Sequence, residues 1–136
     1  MTDAYKKAVD YLTRREHCEK ELITKLASKF GEEEAIKAIK LLQEKKYQSN
    51  MRYACNILTY KSKRGYGYKW IRSYLQSMHI SDTDLELALE EVAIDWNKYF
   101  YEYAHKKSSF YKDKKSLINH LISRGHDPSL VLEYAK

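Results

Sequence analysis

The sequence contains one proline and four glycines in 136 residues, too few for the many tight turns of an all-β protein. Its two cysteines, Cys18 and Cys55, exclude a disulfide framework and favour a reducing compartment. No apolar run approaches the length of about 20 residues that crosses a bilayer, and no signal-peptide pattern precedes the first helical pattern. These deficits predict a cytoplasmic protein without membrane insertion.

Motifs of catalysis and metal binding are also missing. The sequence has no Gly-rich phosphate loop, no HExxH and no Gly-x-Ser-x-Gly. Its histidines are dispersed, and His120 and His126 lie on either side of a predicted Arg-Gly helix break, unlike the close ligand pairs of zinc sites. We therefore expect no enzyme, no cofactor and no metal site.

Acidic residues are absent from the middle of the chain. Residues 51–80 hold six Lys or Arg and no Asp or Glu, whereas residues 81–95 hold six acids and no base. In a chain of net charge +6, this segregation predicts a basic surface for nucleic acid or for an acidic protein. The alternative is a pair of solvated helix faces that partly neutralise each other.

Helical periodicity is what the sequence has in abundance, and it recurs three times. Apolar residues at three- and four-residue spacing register at offsets of 49 and 46, as in Leu22, Leu26 and Ile36; Ile71, Leu75 and Leu85; Leu117, Leu121 and Val131. This pattern predicts an all-α fold of three tandem three-helix repeats in an elongated, curved array. The predicted repeats span residues 1–48, 49–94 and 95–136, and we expect a monomer.

The segment 61–78 carries five basic residues, four aromatics and no acid around a Gly-Tyr-Gly turn. Such a turn can join two helices at a sharp angle, so that the flanking charges project from the joint. The charges predict one strip that contacts DNA phosphates or acidic protein groups. Its members are Arg52, Lys63, Arg64, Lys69 and Arg72.

Aromatic residues interleave with these charges at Tyr66, Tyr68 and Trp70. They could stack on bases, with Tyr66 as the exposed candidate, or they could pack between neighbouring repeats. We assign Trp96 and Tyr99 to the core.

A second basic cluster surrounds the loop into the last repeat and could extend the strip or be a solvated loop. It comprises Lys106, Lys107, Lys112, Lys114 and Lys115. The acids of residues 82–95 could face basic groups of a partner, repel DNA, or balance charge within the molecule.

Two segments resemble motifs of the bacterial RecX regulatory proteins. Residues 14–22, Arg-Arg-Glu-His-Cys-Glu-Lys-Glu-Leu, are similar to the RREHS-x-x-EL signature, and residues 63–67, Lys-Arg-Gly-Tyr-Gly, resemble the RRGYG segment. The similarity runs from about residue 5 to residue 134. The chain departs from the family pattern at Cys18, where Ser is frequent, at Tyr68, where Pro is frequent, and at His126, where an aromatic is common.

The resemblance implies a modulator that docks in the groove of the RecA filament on DNA. Such a protein inhibits the ATPase, recombinase and co-protease activities of RecA, and so modulates recombination, DNA repair and the SOS response. The expected partners are the RecA filament and single- or double-stranded DNA. The alternative is a sequence-independent or helix-turn-helix-like DNA-binding protein that acts without RecA.

Overall fold

The computed structural model describes all 136 residues and consists of nine α-helices with no β-strand. The helices are α1 (Asp3–Arg14), α2 (Glu19–Phe30), α3 (Glu32–Glu44), α4 (Asn50–Lys63), α5 (Tyr68–Ser77), α6 (Asp82–Val92), α7 (Trp96–Ser108), α8 (Lys114–Ser123) and α9 (Pro128–Tyr134). The prediction of an all-α chain of three tandem three-helix repeats is confirmed. We call α1–α3, α4–α6 and α7–α9 the first, second and third units.

The helix ends follow from short polar residues and glycines in the sequence. In six helices the N-cap side chain accepts a hydrogen bond from a backbone N–H of the first turn, as given by Thr2, Ser49, Ser81, Asp95, Asp113 and Asp127. Gly31 ends α2 at a φ of 86°, which a glycine adopts without the steric cost of a side chain. Three glutamates then occupy the first turn of α3, where the helix dipole favours negative charge.

Each unit has its own hydrophobic core, built from the apolar stripes that the periodicity predicts, except that Ile36 of the first stripe is exposed. Fully buried members include Leu22, Leu26 and Ile39 in the first core, Leu58, Ile71 and Leu75 in the second, and Phe100, Leu121 and Val131 in the third. The predicted boundaries at 48/49 and 94/95 fall between helices, and the division into units at those residues stays a prediction. One core residue crosses the first boundary, because Cys18 packs into the second core.

The buried face of α4 differs from the stripe that helical spacing in the sequence predicts, which consists of Met51, Ala54, Cys55 and Leu58. Met51 and Cys55 are only half-buried, whereas Tyr53 and Ser62 join Ala54 and Leu58 in the interior. The face is shifted because α4 packs against both α5 and α6. None of the nine helices has the length and apolar composition to cross a membrane.

A basic groove as candidate interface

Two helices of different units end in the same way, with an Arg-Gly pair. Arg64-Gly65 ends α4, and Arg124-Gly125 ends α8. Both glycines have positive φ, 94° and 91°, which side-chain-bearing residues rarely adopt. The N–H groups of Tyr66 and His126 then bond back to the last helical turn at 3.0 and 3.4 Å, which satisfies carbonyls that the helix end leaves free.

The two Arg-Gly ends dock against each other, and we call this contact the clasp. Arg124 Nη2 donates to the carbonyl oxygen of Arg64 at 2.8 Å, and His126 Nε2 donates to that of Gly65 at 2.7 Å. In return, the N–H of Gly67 donates to the carbonyl oxygen of Arg124 at 2.8 Å. The third unit therefore bonds to the carbonyls of the turn that follows α4, where a cation also interacts favourably with the helix dipole.

Glycine is required at the clasp because the two turns approach so closely. A Cβ atom at Gly65 would overlap the ring of Tyr103, and one at Gly125 would overlap the backbone of Trp70. Burial also lowers the pKa of His126, and the nearby Arg124 lowers it further, although the bond to Gly65 opposes both effects. The imidazole is therefore neutral at physiological pH, with its proton on the nitrogen that faces Gly65.

A groove of about 720 Å³ lies beside the clasp, between the second and third units. We call it the basic groove. Six cationic side chains line it: Lys61, Lys63, Arg64, Lys106, Lys107 and Arg124. The other lining residues are Tyr66, Tyr99, Tyr103, His120 and Glu102, so that the groove has a single carboxylate.

None of these six cations takes part in an ion pair. The ion pairs of the molecule involve other basic residues, and no carboxylate oxygen lies within 4.0 Å of a groove cation. Six unneutralised charges that line one concave surface produce a strong positive potential there. The arrangement can attract and hold a polyanion.

Aromatic rings hold one of these cations in place. The guanidinium of Arg124 lies 3.7 Å from the ring centroid of Tyr66 and 4.9 Å from that of Tyr103. Tyr66 in turn packs on Trp70, with 4.2 Å between ring centroids. The expectation of an exposed Tyr66 is wrong, because Trp70 and Arg124 cover the ring and leave it half-buried.

Lys61 and Arg124 are the two groove cations that sequence reasoning missed as binding candidates. For Arg124, the signal was the repetition of Arg-Gly at two predicted helix ends, which marks equivalent turns in successive units. What the repetition could not indicate is that these turns contact each other across 60 residues.

His120 and Tyr103 form a neutral pair at the groove wall, with His120 Nε2 lying 2.6 Å from the Tyr103 hydroxyl oxygen. Burial lowers the pKa of His120, and the charges of Arg124 and Lys107 lower it further. Burial likewise raises the pKa of Tyr103. The charge of the groove at neutral pH therefore comes from its lysines and arginines and from Glu102.

The structure brings two of the predicted strip residues together and separates the others. Lys63 and Arg64 line the basic groove, together with the interleaving Tyr66. Lys69 instead lines a second cleft of about 840 Å³, beside Tyr68, and the exposed Arg72 lies one helical turn further along α5. Their role in binding stays a prediction.

Arg52 is occupied within the molecule. Its Nε donates to Glu16 Oε2 at 3.2 Å, and its two terminal nitrogens donate to the carbonyl oxygens of Lys46 and Tyr47 at 2.8 and 3.0 Å. These bonds tie α4 to the loop after α3 and to the loop before α2. Arg52 is therefore a strut between the first and second units.

The second basic cluster divides in the same manner. Lys106 and Lys107 line the basic groove, whereas Lys112, Lys114 and Lys115 are exposed around the start of α8 and outside it. Asp113, in their midst, caps α8, and the hydrogen bond from the backbone N–H of Ser116 lowers the pKa of its carboxyl.

Trp96 and Tyr99, both predicted to lie in the core, have different surroundings in the structure. Trp96 is half-buried and packs against the second core, whereas Tyr99 is half-buried and lines the groove, so the core assignment of Tyr99 is wrong. Tyr99 stays outside the third core because neighbouring Phe100 occupies it.

The acidic segment remains unpaired. No carboxylate of residues 82–95 lies within 4.0 Å of a basic nitrogen, so direct ion pairs do not balance its charge. In addition, no group of three or more His, Cys, Asp or Glu side chains stands close enough to hold a metal ion.

Comparison with known proteins finds similar sequences in one protein family. Residues 4–42 match the family model described as the first three-helix domain of RecX. The regulatory protein RecX of Pasteurella multocida is 31% identical over 134 residues, which cover 93% of this chain and 82% of that protein. That of Mannheimia succiniciproducens is 33% identical over 132 residues, or 91% and 86% of the two chains.

A solved structure supports the same fold. The crystal structure of a regulatory protein RecX superimposes with a TM-score of 0.80 over 96% of this chain and 70% of that chain, at 21% sequence identity. At this identity the likeness concerns the course of the helices rather than individual side chains.

Proposed function

The chain belongs to the RecX family of regulatory proteins, and on that premise we propose that it is a cytoplasmic regulator of the RecA recombinase. It binds the RecA filament on DNA and inhibits the ATPase, recombinase and co-protease activities of RecA. Through this inhibition it modulates recombination, DNA repair and the SOS response.

The observation that carries the proposal is the basic groove, with six unpaired cations and one carboxylate. A nucleoprotein filament presents two kinds of anion, the phosphates of its DNA and the carboxylates of its protein. Arginine can grip either group with two parallel hydrogen bonds, and lysine supplies a less directional charge. A concave surface of this charge can therefore bind the phosphates and carboxylates along a filament groove, and this binding needs no deep pocket in the protein.

Lys69 and Arg72 on α5 extend this contact in the proposal. Both side chains are exposed, and neither is in an ion pair. We propose that they meet the filament beside the basic groove, while Lys112, Lys114 and Lys115 approach it from the third unit.

The test is the rate of single-stranded-DNA-dependent ATP hydrolysis by a cognate RecA, titrated with wild-type protein and three variants. The groove variant replaces Lys63, Arg64 and Lys107 with Ala, and the α5 variant replaces Lys69 and Arg72. The matched control replaces three exposed lysines of the first unit that are in no ion pair: Lys6, Lys29 and Lys40. We expect wild type and control to inhibit equally, and the groove variant to need at least about ten-fold more protein.

Two outcomes would contradict the proposal in different ways. Equal inhibition by the groove variant and the control would remove the groove from the mechanism. Absence of inhibition at saturating wild-type protein, with DNA binding retained, would favour the alternative of a sequence-independent or helix-turn-helix-like DNA-binding protein that acts without RecA. The unpaired groove cations would serve that alternative as well, because phosphates alone can neutralise them.

A further inference from the structure

Two cations of the basic groove also lie against aromatic rings that are exposed to solvent. Lys107 Nζ is 4.8 Å from the ring centroid of Phe110, and the guanidinium carbon of Arg64 is 4.4 Å from that of Tyr60. Phe110 is 71% exposed and Tyr60 is 52% exposed. Phe110 lies in the loop after α7, and Tyr60 lies on α4. Neither ring lines the groove itself, but each contacts a cation that does, one from the third unit and one from the second.

Packing does not account for the position of these rings. Neither Phe110 nor Tyr60 belongs to a hydrophobic core or to the residues packed against one. A cation over an aromatic ring interacts with one face of its π system, and the high exposure shows that much of the rest of each ring is in water. The free surface of such a ring can stack on another planar group.

We propose that Phe110 and Tyr60 stack on the bases of single-stranded DNA whose phosphates lie in the basic groove. Lys107 and Arg64 then contact both the rings and the backbone of the strand. Unpaired bases can turn their faces to the rings, whereas the bases of a duplex are already stacked on one another. The rings therefore favour single-stranded over double-stranded DNA. The phosphate contacts in this inference rest on the proposed function, and the base contacts go beyond it.

The experiment measures binding of three labelled probes by fluorescence anisotropy: a single-stranded oligonucleotide, a duplex of equal length, and a strand of equal length without bases. Wild type is compared with F110A, Y60A and the double variant, and F110L keeps an apolar side chain but removes the ring. The matched control is Y47A, because Tyr47 is 55% exposed and lies on the first unit, away from the groove.

We expect the double variant to bind the single strand at least about ten-fold more weakly than wild type, because each stacked base contributes strongly to affinity. Its binding to the duplex and to the strand without bases should stay within about two-fold of wild type, since the phosphate contacts are unchanged. F110L should behave like F110A, and Y47A should leave all three affinities unaltered. A further variant, F110W, keeps an aromatic ring at this position and should bind the single strand as wild type does.

Equal losses for all three probes, or no loss for the single strand, would overturn the stacking proposal. The groove variant with Lys63, Arg64 and Lys107 replaced separates this failure from that of the proposed function. If that variant weakens binding to every probe while the aromatic variants do not, the groove binds phosphate and the rings do not bind bases. If wild type binds no probe, the stacking proposal also fails.

Discussion

Arg124 is fixed in position before any partner arrives. One terminal nitrogen bonds to the Arg64 carbonyl oxygen at 2.8 Å, and the guanidinium lies between the rings of Tyr66 and Tyr103. Its Nε is buried without a hydrogen-bond partner, which costs about 1–3 kcal/mol for a group of this kind. A side chain held in this way loses little conformational freedom on binding, so its contacts with an anion are more favourable than those of a mobile lysine.

Two buried histidines make the stability of the protein depend on pH. His17 Nδ1 bonds to the Arg15 carbonyl oxygen and its Nε2 accepts from Lys25, both at 3.0 Å, and His126 caps the clasp. Burial lowers the pKa of both rings, and adjacent cations lower it further. The unfolded chain, with histidine pKa values near about 6.5, therefore binds more protons than the folded chain just below that pH.

We expect the free energy of unfolding to be highest above about pH 6.5 and to fall as the pH drops below it, by at most about 1.4 kcal/mol per pH unit for each histidine. Urea unfolding between pH 8 and pH 5 measures this. His126→Gln, whose amide nitrogen can still donate to Gly65, should give a shallower decline. An identical pH profile for wild type and variant would show that His126 does not contribute.

At the scale of helices and turns, the clasp joins the second and third units through backbone hydrogen bonds as well as through the side chains of Arg124 and His126. The N–H groups of Gly67 and Lys69 donate to the carbonyl oxygens of Arg124 and Gly125, at 2.8 and 3.2 Å. Backbone groups leave little rotational freedom, so the clasp sets the angle between α4 and α8. That angle brings Lys63 and Arg64 opposite the cations of α7.

Gly125→Ala should destabilise the protein more than Gly31→Ala does. Both glycines have positive φ, and Gly31, with a ψ of 155°, lies in a region that is almost restricted to glycine, so each substitution costs about 1–3 kcal/mol in backbone conformation. A Cβ at position 31 meets nothing within 4 Å, whereas one at position 125 overlaps the backbone of Trp70, which should add about 1–3 kcal/mol. Urea unfolding of the two variants gives the comparison. Equal losses would mean that the turns can separate without cost.

The helices could be predicted from the sequence because their causes are local. The spacing of Ile71 and Leu75 and the capping Ser81 act within a few residues, and the structure has the elements where those signals lie. The exposed or buried state of Tyr66 could not be predicted in this way. It depends on Arg124, 58 positions away in the sequence, and on the rotation of one unit against the next, which periodicity does not determine.

At the scale of the whole molecule, charge is distributed unevenly between its surfaces. The groove concentrates six unpaired cations, whereas the acids of α6 remain unpaired on a different helix. The sequence predicts this segregation, since both runs can be read directly. The sequence also predicts that Lys69, Arg72 and Arg52 lie in the same strip as Arg64. In the structure, however, Arg52 bonds to residues of the first unit, at the contact between the first and second units.

Binding to single-stranded DNA should weaken steeply with salt. Each phosphate neutralised by a groove cation contributes about −0.7 to the slope of log K against log salt concentration, so replacing Lys63 and Arg64 with Ala should make the slope shallower by about 1.4. Titrations at four salt concentrations measure this. The Lys29 and Lys40 double variant should keep the wild-type slope. Unchanged slopes in both variants would show that the strand binds elsewhere.

Repeat proteins commonly lengthen during evolution by copying whole units, and Cys18 restricts that route here. Cys18 belongs to the first unit in the sequence, but its side chain is fully buried in the core of the second unit. A duplicated copy of residues 1–48 would therefore bring its own Cys18 but would lack a following core shaped to receive it. A fourth unit could join this end only with coordinated changes in its neighbour. The core of the second unit is therefore complete only with a residue of the first, and the smallest segment with intact cores is larger than the one that the helices outline.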